Sequence, residues 1–211
     1  MNPEKGNVTT DESAPMVPTD LKTATVSSGG RVDLSRYNNS SFDRGASRFT
    51  EMCWLLARRA FFEPSWLPCS WLRRSLLRLF GAKVGRGVVI KPGVKITFPW
   101  RLRIADQVWL GEDIYLHNLV PITIESNVCI SQRAFLCTGN HDYSSPQFDL
   151  MVSPILIEQG VWIGAAAWVG PGVTVGSHAV LAAGSAATQD LLPYTIYRGN
   201  PAVPVRRRTI P

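Results

Sequence analysis

The side chains best suited to proton transfer in this chain are its three histidines, His117, His141 and His178. A neutral imidazole with a pKa of about 6.5 can take a proton from a hydroxyl or an amine at neutral pH. Acyl transfer from a thioester to such an acceptor requires that step. His141 ends "CTGNH", and the next fifteen residues, "DYSSPQFDLMVSPIL", break the surrounding pattern. We therefore expect the chemistry at His141, whereas the turn sequence "GSHA" favours a solvent-facing position for His178.

The elements around His141 follow a six-residue pattern that runs from Val84 to about Leu192. Three hexads with two extra residues give a period of 20 in the first half of the pattern. Each hexad can form a short strand and a turn, so three hexads make one triangular coil, which buries its apolar face by stacking on its neighbours. The aliphatic positions are Val84, Ile90, Ile96, Ile104, Leu110, Leu116, Ile124, Ile130, Leu136, Ile157, Ile163, Val169, Val175, Leu181 and Ala187.

This pattern predicts a mainly β fold, a parallel β-helix of about five coils that start at residues 84, 104, 124, 157 and 175. At about 4.8 Å per coil, the prism would be on the order of 24 Å tall. In a solenoid, an insertion maps to a loop that leaves the prism, often on the binding face. The break after His141 therefore predicts an inserted loop at residues 142–156 beside the candidate base.

Composition limits the classes of function. The chain has 211 residues, of which 45% are hydrophobic, and a formal net charge of +6. Its basic residues concentrate at 58–59, 73–74, 78–86 and 206–208, which favours an anionic small molecule or a membrane surface over nucleic acid. The four cysteines lack the spacing of a metal site, and no secretory signal or transmembrane helix is apparent. We expect a cytoplasmic protein that needs no metal.

The whole chain divides into four segments. We predict a disordered tail at 1–30, an arm and two amphipathic α-helices at 31–82, the β-helix at 83–192, and an extended basic tail at 193–211. Two interpretations of the helices remain open. They could cap the prism or pack on a neighbouring subunit, or they could attach to a membrane interface through Trp54, Trp66 and Trp71, with Arg on the polar face.

Several motifs resemble those of the hexapeptide-repeat sugar O-acetyltransferases, which include the maltose, galactoside and nodulation acetyltransferases. They are "GNHDY", "GVWIGAAAWVGPGVTVGSHAVLAAGSAATQD" and "RGNPA". The segments "SRYNNSSFDRG", "RLFGAKVGRGVVIKPGVKITFPWRLRI" and "NLVPITIESNVCISQRAFLCTGNHDYSSPQFDL" resemble the colanic-acid-biosynthesis type of that family. The likeness covers about residues 33–208.

This resemblance implies a left-handed β-helix and a homotrimer with one active site in each groove between adjacent prisms. Acetyl-CoA would enter a groove from one end and the sugar from the other. His141 matches the catalytic base of the family. An Asn on the preceding coil assists the base in relatives, and Asn118 is the candidate here, with His117 as the alternative because the local alignment is ambiguous by one residue.

The resemblance also implies a set of contacts to acetyl-CoA. By motif match these are Trp162, Ala165, Ala183, Thr188, Gln189 and Arg206. Relatives often have Lys where this chain has Gln189, and Arg207 or Arg208 could supply the missing charge. Trp168 stands where many relatives have a smaller aliphatic residue, and the sequence offers no reason for it.

The acceptor could be a nucleotide sugar, a lipid-linked saccharide or a free oligosaccharide. Two other classes of protein also remain as alternatives, a γ-class carbonic anhydrase and a non-catalytic scaffold. A lipid-linked acceptor would fit peripheral contact with the inner face of the membrane. A γ-class carbonic anhydrase binds zinc through a close His pair and a third His, whereas the histidines here are 24 and 37 residues apart. A non-catalytic scaffold would not require the "GNHD" motif or the cofactor motifs.

Overall fold

The computed structural model describes residues 30–67 and 69–211, so the tail predicted at 1–30 lies outside the described residues except for Gly30. Within them, α1 spans Arg48–Phe61 and α2 spans Ser70–Leu79, and 3₁₀ turns lie at Leu34–Arg36 and Pro99–Arg101. The strands are β1 (Lys83–Val84), β2 (Val89–Ile90), β3 (Lys95–Ile96), β4 (Leu102–Ile104), β5 (Trp109–Leu110), β6 (Tyr115–His117), β7 (Ile122–Ile124), β8 (Cys129–Ile130), β9 (Phe135–Cys137), β10 (Gly139–His141), β11 (Leu150–Val152), β12 (Ile155–Ile157), β13 (Trp162–Ile163), β14 (Trp168–Val169), β15 (Thr174–Val175), β16 (Val180–Leu181), β17 (Ala186–Ala187), β18 (Thr195–Arg198) and β19 (Val203–Arg207).

Three parallel sheets of described strands form the sides of a solenoid. The first sheet has the order β1-β4-β7-β12-β15, and the third has the order β3-β6-β9-β14-β17. The second sheet runs β2-β5-β8-β13-β16-β18 and ends in β19, which pairs antiparallel with β18. Each complete coil contributes one strand to every sheet. The predicted mainly β fold with two helices ahead of the parallel strands is confirmed.

The solenoid continues beyond the last predicted coil. Leu191 bridges to Val175, and β18 pairs in parallel with β16. The described chain therefore makes about six turns rather than five, the last of them incomplete. Residues 193–211, predicted as an extended tail, supply β18 and β19 to the second sheet.

The aliphatic positions of the repeat stack in register and form the core. Down the first sheet, Ile104 pairs with Ile124, Ile124 with Ile157, and Ile157 with Val175, and all four are buried. The same stacking continues in the other two sheets, for example between Leu116 and Leu136. Because such a column cannot collapse locally, truncating one of its residues to Ala should cost about 2–5 kcal/mol of folding free energy.

The helices cover the open end of the first coil. Trp54 on the inner face of α1 is buried and donates a hydrogen bond from Nε1 to the Ile96 carbonyl at 3.0 Å. Arg73 on α2 is fully buried and donates to the carbonyls of Phe61 (3.0 Å), Ile90 (3.2 Å) and Leu67. Burial lowers the pKa of the Arg73 guanidinium, and the three carbonyls compensate its charge. No described helix is both long enough and apolar enough to cross a membrane.

Candidate active site

The inserted segment after His141 folds as a β-hairpin at the corner between the third and first sheets. β10 and β11 pair antiparallel, with His141 opposite Leu150. The turn is closed by a hydrogen bond from the Asp142 backbone N–H to the Asp149 carbonyl at 2.8 Å, and by one from the Ser145 hydroxyl to the Asp149 carboxylate at 2.7 Å. The hairpin gives His141 a fixed backbone position outside the stacked coils.

The hydrogen bond of the His141 ring determines which nitrogen is basic. Its Nδ1 lies 2.8 Å from the Phe148 carbonyl oxygen, and a carbonyl can only accept a hydrogen bond. Nδ1 therefore carries the proton of the neutral ring, and the lone pair is on Nε2. The ring is stacked on Phe148 at 4.4 Å between centroids and meets the edge of Tyr37 at 5.7 Å. These contacts hold the imidazole in one orientation.

His141 and His117 line one cavity of about 250 Å³. The N-terminal arm forms its outer wall through Tyr37, Phe42 and Arg44, and Cys137 lies on its inner wall. The arm and the hairpin are joined, since the Asp33 N–H donates to the Pro146 carbonyl at 2.8 Å. The arm was expected to contribute acceptor contacts, but no motif in the sequence singles out these wall residues individually. The aromatic residues of the otherwise polar arm were the only signal for them.

His117 faces this cavity in its neutral form. Its Nδ1 lies 3.0 Å from the Tyr115 hydroxyl and 3.2 Å from the Thr97 hydroxyl. The ring is half-buried, and that burial lowers the pKa of the His117 imidazole because the charged form is poorly solvated there. A neutral, hydrogen-bonded imidazole at the cavity wall can position an acceptor.

The Asn118 side chain points into the protein, away from the cavity that His117 lines. It is fully buried, and its Oδ1 accepts from the backbone N–H groups of Thr97 (3.1 Å) and Phe98 (3.0 Å). Its Nδ2 donates to the Phe98 carbonyl at 2.6 Å. The Asn118 amide thus holds the corner of the coil below, and of the two candidates it is His117 that shares the cavity with His141.

A larger cavity of about 590 Å³ lies at the corner between the second and third sheets. Four of the six predicted cofactor contacts line it: Trp162, Ala165, Ala183 and Arg206. The Trp162 indole is fixed by a hydrogen bond from Nε1 to the Ser131 hydroxyl at 2.9 Å. A Cβ on Gly164 would lie 2.4 Å from the Ala183 nitrogen, so the glycine lets adjacent coils form a close wall there. An apolar wall with Arg206 and Arg208 beside it suits a long ligand that carries phosphate.

The other two predicted contacts lie elsewhere. Thr188 lines a third cavity of about 340 Å³ together with Asn140 and Trp168, and Gln189 beside it is exposed. Both are at the corner between the third and first sheets, where the hairpin leaves the prism. Trp168 lies over Gly170, where an added Cβ would come within 2.7 Å of the indole. The large side chain that the sequence left unexplained is therefore part of that cavity wall.

His178 lies at the corner between the first and second sheets and lines neither the histidine cavity nor the cofactor cavity, although its carbonyl accepts a hydrogen bond at 3.0 Å from Arg208, which lines the cavity of about 590 Å³. The His178 backbone has a positive φ of 58°, and its ring packs on Tyr194 in a tilted arrangement with 4.8 Å between the ring centroids. Among the described residues, no cluster of three or more His, Cys, Asp or Glu side chains could hold a metal ion.

Comparison with known proteins identifies the family. The family model for the hexapeptide repeat of succinyl-transferase matches residues 154–189. The putative colanic acid biosynthesis acetyltransferase WcaF of Escherichia coli (strain K12) is 41% identical over 179 residues, which cover 83% of this chain and 97% of that protein. The galactoside O-acetyltransferase of the same organism is 29% identical over 137 residues, which cover 64% of this chain and 68% of that enzyme.

A solved structure shows the same architecture. The hexapeptide-repeat containing acetyltransferase of Vibrio cholerae O1 biovar eltor, complexed with acetyl coenzyme A, superposes with a TM-score of 0.63 at 27% identity, covering 67% of this chain and 79% of that one. The chain therefore belongs to the hexapeptide-repeat acetyltransferases, and it is an acyltransferase.

Proposed function

We propose that this chain transfers an acetyl group from acetyl-CoA to a sugar hydroxyl during the biosynthesis of a surface polysaccharide. The observation that carries the proposal is the state of His141. Its Nδ1 is committed to the Phe148 carbonyl, which leaves Nε2 as a base on a cavity of about 250 Å³. A hydroxyl acceptor needs such a base, because an alcohol is a poor nucleophile until its proton is removed.

In the proposed reaction, His141 Nε2 accepts the proton of the acceptor hydroxyl while its oxygen bonds to the thioester carbonyl carbon. The carbon–sulfur bond then breaks, and the imidazolium returns the proton to the departing thiolate. The products are the acetylated sugar and free CoA. The Phe148 carbonyl keeps the hydrogen bond to Nδ1–H throughout and stabilises the imidazolium, as the third member of a catalytic triad does.

We assign the assisting role to His117 and a supporting role to Asn118. His117 is neutral, lies on the same cavity wall as His141, and is held by the Tyr115 and Thr97 hydroxyls. It can hydrogen-bond the acceptor without competing for the proton, because burial lowers its pKa. Asn118 holds the backbone at Thr97 and Phe98, and so positions the coil against which His117 packs.

The larger cavity is proposed as the acetyl-CoA groove. Its apolar wall at Trp162, Ala165 and Ala183 suits the pantetheine arm, and Arg206 suits a phosphate. A known acetyl-CoA complex of a similar chain in Vibrio cholerae supports this assignment.

We further propose that the active unit is a homotrimer. Within one chain, His141 and Thr188 are at the corner between the third and first sheets, whereas Trp162 and Arg206 are at the corner between the second and third sheets. A three-fold arrangement of prisms would set the His141 corner of one subunit against the Trp162 corner of its neighbour. Thr188 and Gln189 would then contact the cofactor bound in the groove of that neighbour.

The acceptor class is proposed from the relatives. The similarity to a putative colanic acid biosynthesis acetyltransferase over almost its whole length supports a polysaccharide precursor. The test is a screen for thiol release from acetyl-CoA with free, nucleotide-linked and lipid-linked saccharides, with mass spectrometry of the products. We expect acceptor-dependent thiol release and an added acetyl group on the sugar. Thiol release that never depends on a saccharide would contradict the proposal.

The groove assignment has its own test. Arg206→Ala should weaken binding of CoA by about tenfold, the usual scale for one lost charged phosphate contact. It should weaken binding of dephospho-CoA much less if the contact is to the 3′-phosphate. Isothermal titration of both ligands against wild type and variant measures this difference. Of the two arginines that could replace the missing Lys, Arg208 lines the cavity and Arg207 does not, so Arg207→Ala, at the next position of β19, is the matched control.

A further inference from the structure

We propose that the outward face of α1 is a docking surface for an anionic lipid bilayer. This surface, called here the outer arc, consists of Phe49, Met52, Leu55 and Leu56 with Arg48 and Arg59. It faces away from the residues that seat α1 on the solenoid.

The helix has two apolar faces, although only one of them packs on the protein. Trp54 on the inner face is buried against the first coil. On the opposite side, Phe49 is 73% exposed, Met52 58% and Leu56 65%. A surface helix that packs on one side is normally polar on the other. The outer arc is therefore apolar where a solvent-exposed helix face is normally polar.

The four apolar side chains of the outer arc are contiguous. At about 100° per residue, Phe49, Met52, Leu55 and Leu56 fall within an arc of about 120°, centred nearly opposite Trp54. Arg48 and Arg59 project from the same arc, and both side chains are largely exposed. The aliphatic stems of such arginines can lie along the apolar face while their guanidinium groups reach the lipid headgroups, so this arc suits a helix that lies in the plane of a membrane interface.

The positive charge of residues 44–82 favours an anionic partner. Residues 44–82 contain seven arginines and two glutamates, which accounts for most of the net charge of +6 in the whole chain. Glu51 is already engaged by Arg44 at 2.5 and 2.6 Å, and Glu63 lies near Arg58 and Arg59 at 3.6 and 3.4 Å. The two acids are thus paired within the protein, and an excess of positive charge faces outward.

Two exposed tryptophans adjoin the outer arc in the chain. Trp66, in the connection after α1, is 77% exposed, and Trp71 at the start of α2 is also exposed. Indole rings favour the boundary between headgroups and acyl chains. A second copy of this chain is a poorer occupant, because a symmetric contact would set Arg48 and Arg59 against like charges, whereas anionic headgroups neutralise them.

Docking would bring the acceptor cavity to the membrane, a consequence that rests on the proposed function. A groove of about 360 Å³ beside α1 is lined by Arg44, Met52, Leu55 and Phe98. Arg44 also lines the cavity that holds the two histidines. A saccharide on a lipid carrier could therefore reach His141 while its lipid stays in the bilayer.

The experiment is flotation of the purified full-length protein with phosphatidylcholine vesicles, with and without phosphatidylglycerol and in the absence of acetyl-CoA. We expect binding to the anionic vesicles. The double variant Phe49→Ser/Leu56→Ser should lower the partition coefficient by about a hundredfold, since each side chain withdrawn from the bilayer is worth about tenfold. Arg48→Gln/Arg59→Gln should lower it by about fivefold for each arginine on anionic vesicles, and much less on neutral ones.

Leu192→Ser is the matched control, because Leu192 is an exposed leucine at the far end of the solenoid. It should bind vesicles like wild type, and thermal unfolding should show that every variant is folded. Absence of wild-type binding, or equal binding by the Phe49/Leu56 variant, overturns the proposal. A variant that binds vesicles normally but changes the oligomeric state shows instead that the outer arc is a contact between copies. Because no substrate is present, these outcomes are independent of whether the acetyl transfer assignment is right.

Discussion

Two corners of the same prism carry a histidine, and they differ in almost everything else. At the corner of His178, the repeat is unbroken, and the ring lies between Gly160 and Tyr194 as one layer of a stack. At the corner of His141, the repeat is broken by a hairpin, and the ring is held by Phe148 beside a cavity. The histidine of the regular coil packs against its neighbours, whereas the break in the repeat places a histidine on the wall of a cavity.

Of the two corners, the regular one is expected to show the larger effect on stability. Gly160 has a φ of 69°, and a Cβ there would lie 2.1 Å from His178 Nδ1. Gly160→Ala should lower the free energy of unfolding by about 3 kcal/mol, from backbone strain and displacement of the ring. Gly184→Ala is the control, since its φ is 68° but nothing lies within 4 Å of the added atom. Equal losses in denaturant unfolding of both variants would show that the stack at His178 is not tight.

At the corner of His141, the expected effect is smaller and concerns acceptor binding rather than stability. A Cβ on Gly139 would lie 2.9 Å from Leu119 Cδ1 and 3.9 Å from His117 Cδ2, on the cavity wall. Gly139→Ala should raise KM for the acceptor by about tenfold through crowding of the cavity, with little change in stability. Steady-state kinetics alongside thermal unfolding measures the split. A loss of stability without a change in KM would mean that this corner is structural, like that of His178.

The smallest expected effect is on the pH dependence of the unfolding free energy, through His117. Burial lowers the pKa of His117 in the folded chain, so the unfolded chain binds a proton first as the pH falls. The contribution of His117 to stability is therefore complete above its unfolded pKa of about 6.5 and is lost as the pH falls towards the folded value. His117→Gln should flatten the fall in unfolding free energy between about pH 7 and pH 5. An unchanged slope in urea titrations across that range would contradict the burial argument.

Much of the fold follows from the sequence because the six-residue pattern determines which side chains face inward. Ile104, Ile124, Ile157 and Val175 stack as the pattern predicts, and the chain around the break in the repeat forms the antiparallel pair of β10 and β11. The sixth turn was missed because its first buried residue, Leu191, follows Ala187 by four residues instead of six, and its second, Tyr197, is aromatic rather than aliphatic.

The site was less accessible to sequence reasoning, for two physical reasons. Neighbouring residues of an extended chain point in opposite directions, so an ambiguity of one position decides whether Asn118 or His117 faces the cavity. The contact of Asp33 with Pro146 joins segments that are distant in the chain, and no local pattern encodes it. The motif matches name six candidate cofactor contacts, but they do not indicate that Arg206 and Thr188 lie at different corners of the prism.

The most direct test of the account compares the two histidines in one assay. Once an acceptor is known, kcat is measured for His141→Ala and for His178→Asn, since Asn tolerates the positive φ at position 178. The account predicts that His141→Ala loses about 10²–10⁴-fold in kcat with CoA binding retained, and that His178→Asn stays near wild type. Wild-type turnover by His141→Ala, or an equal loss in both variants, would contradict the claim that the break in the repeat creates the catalytic base.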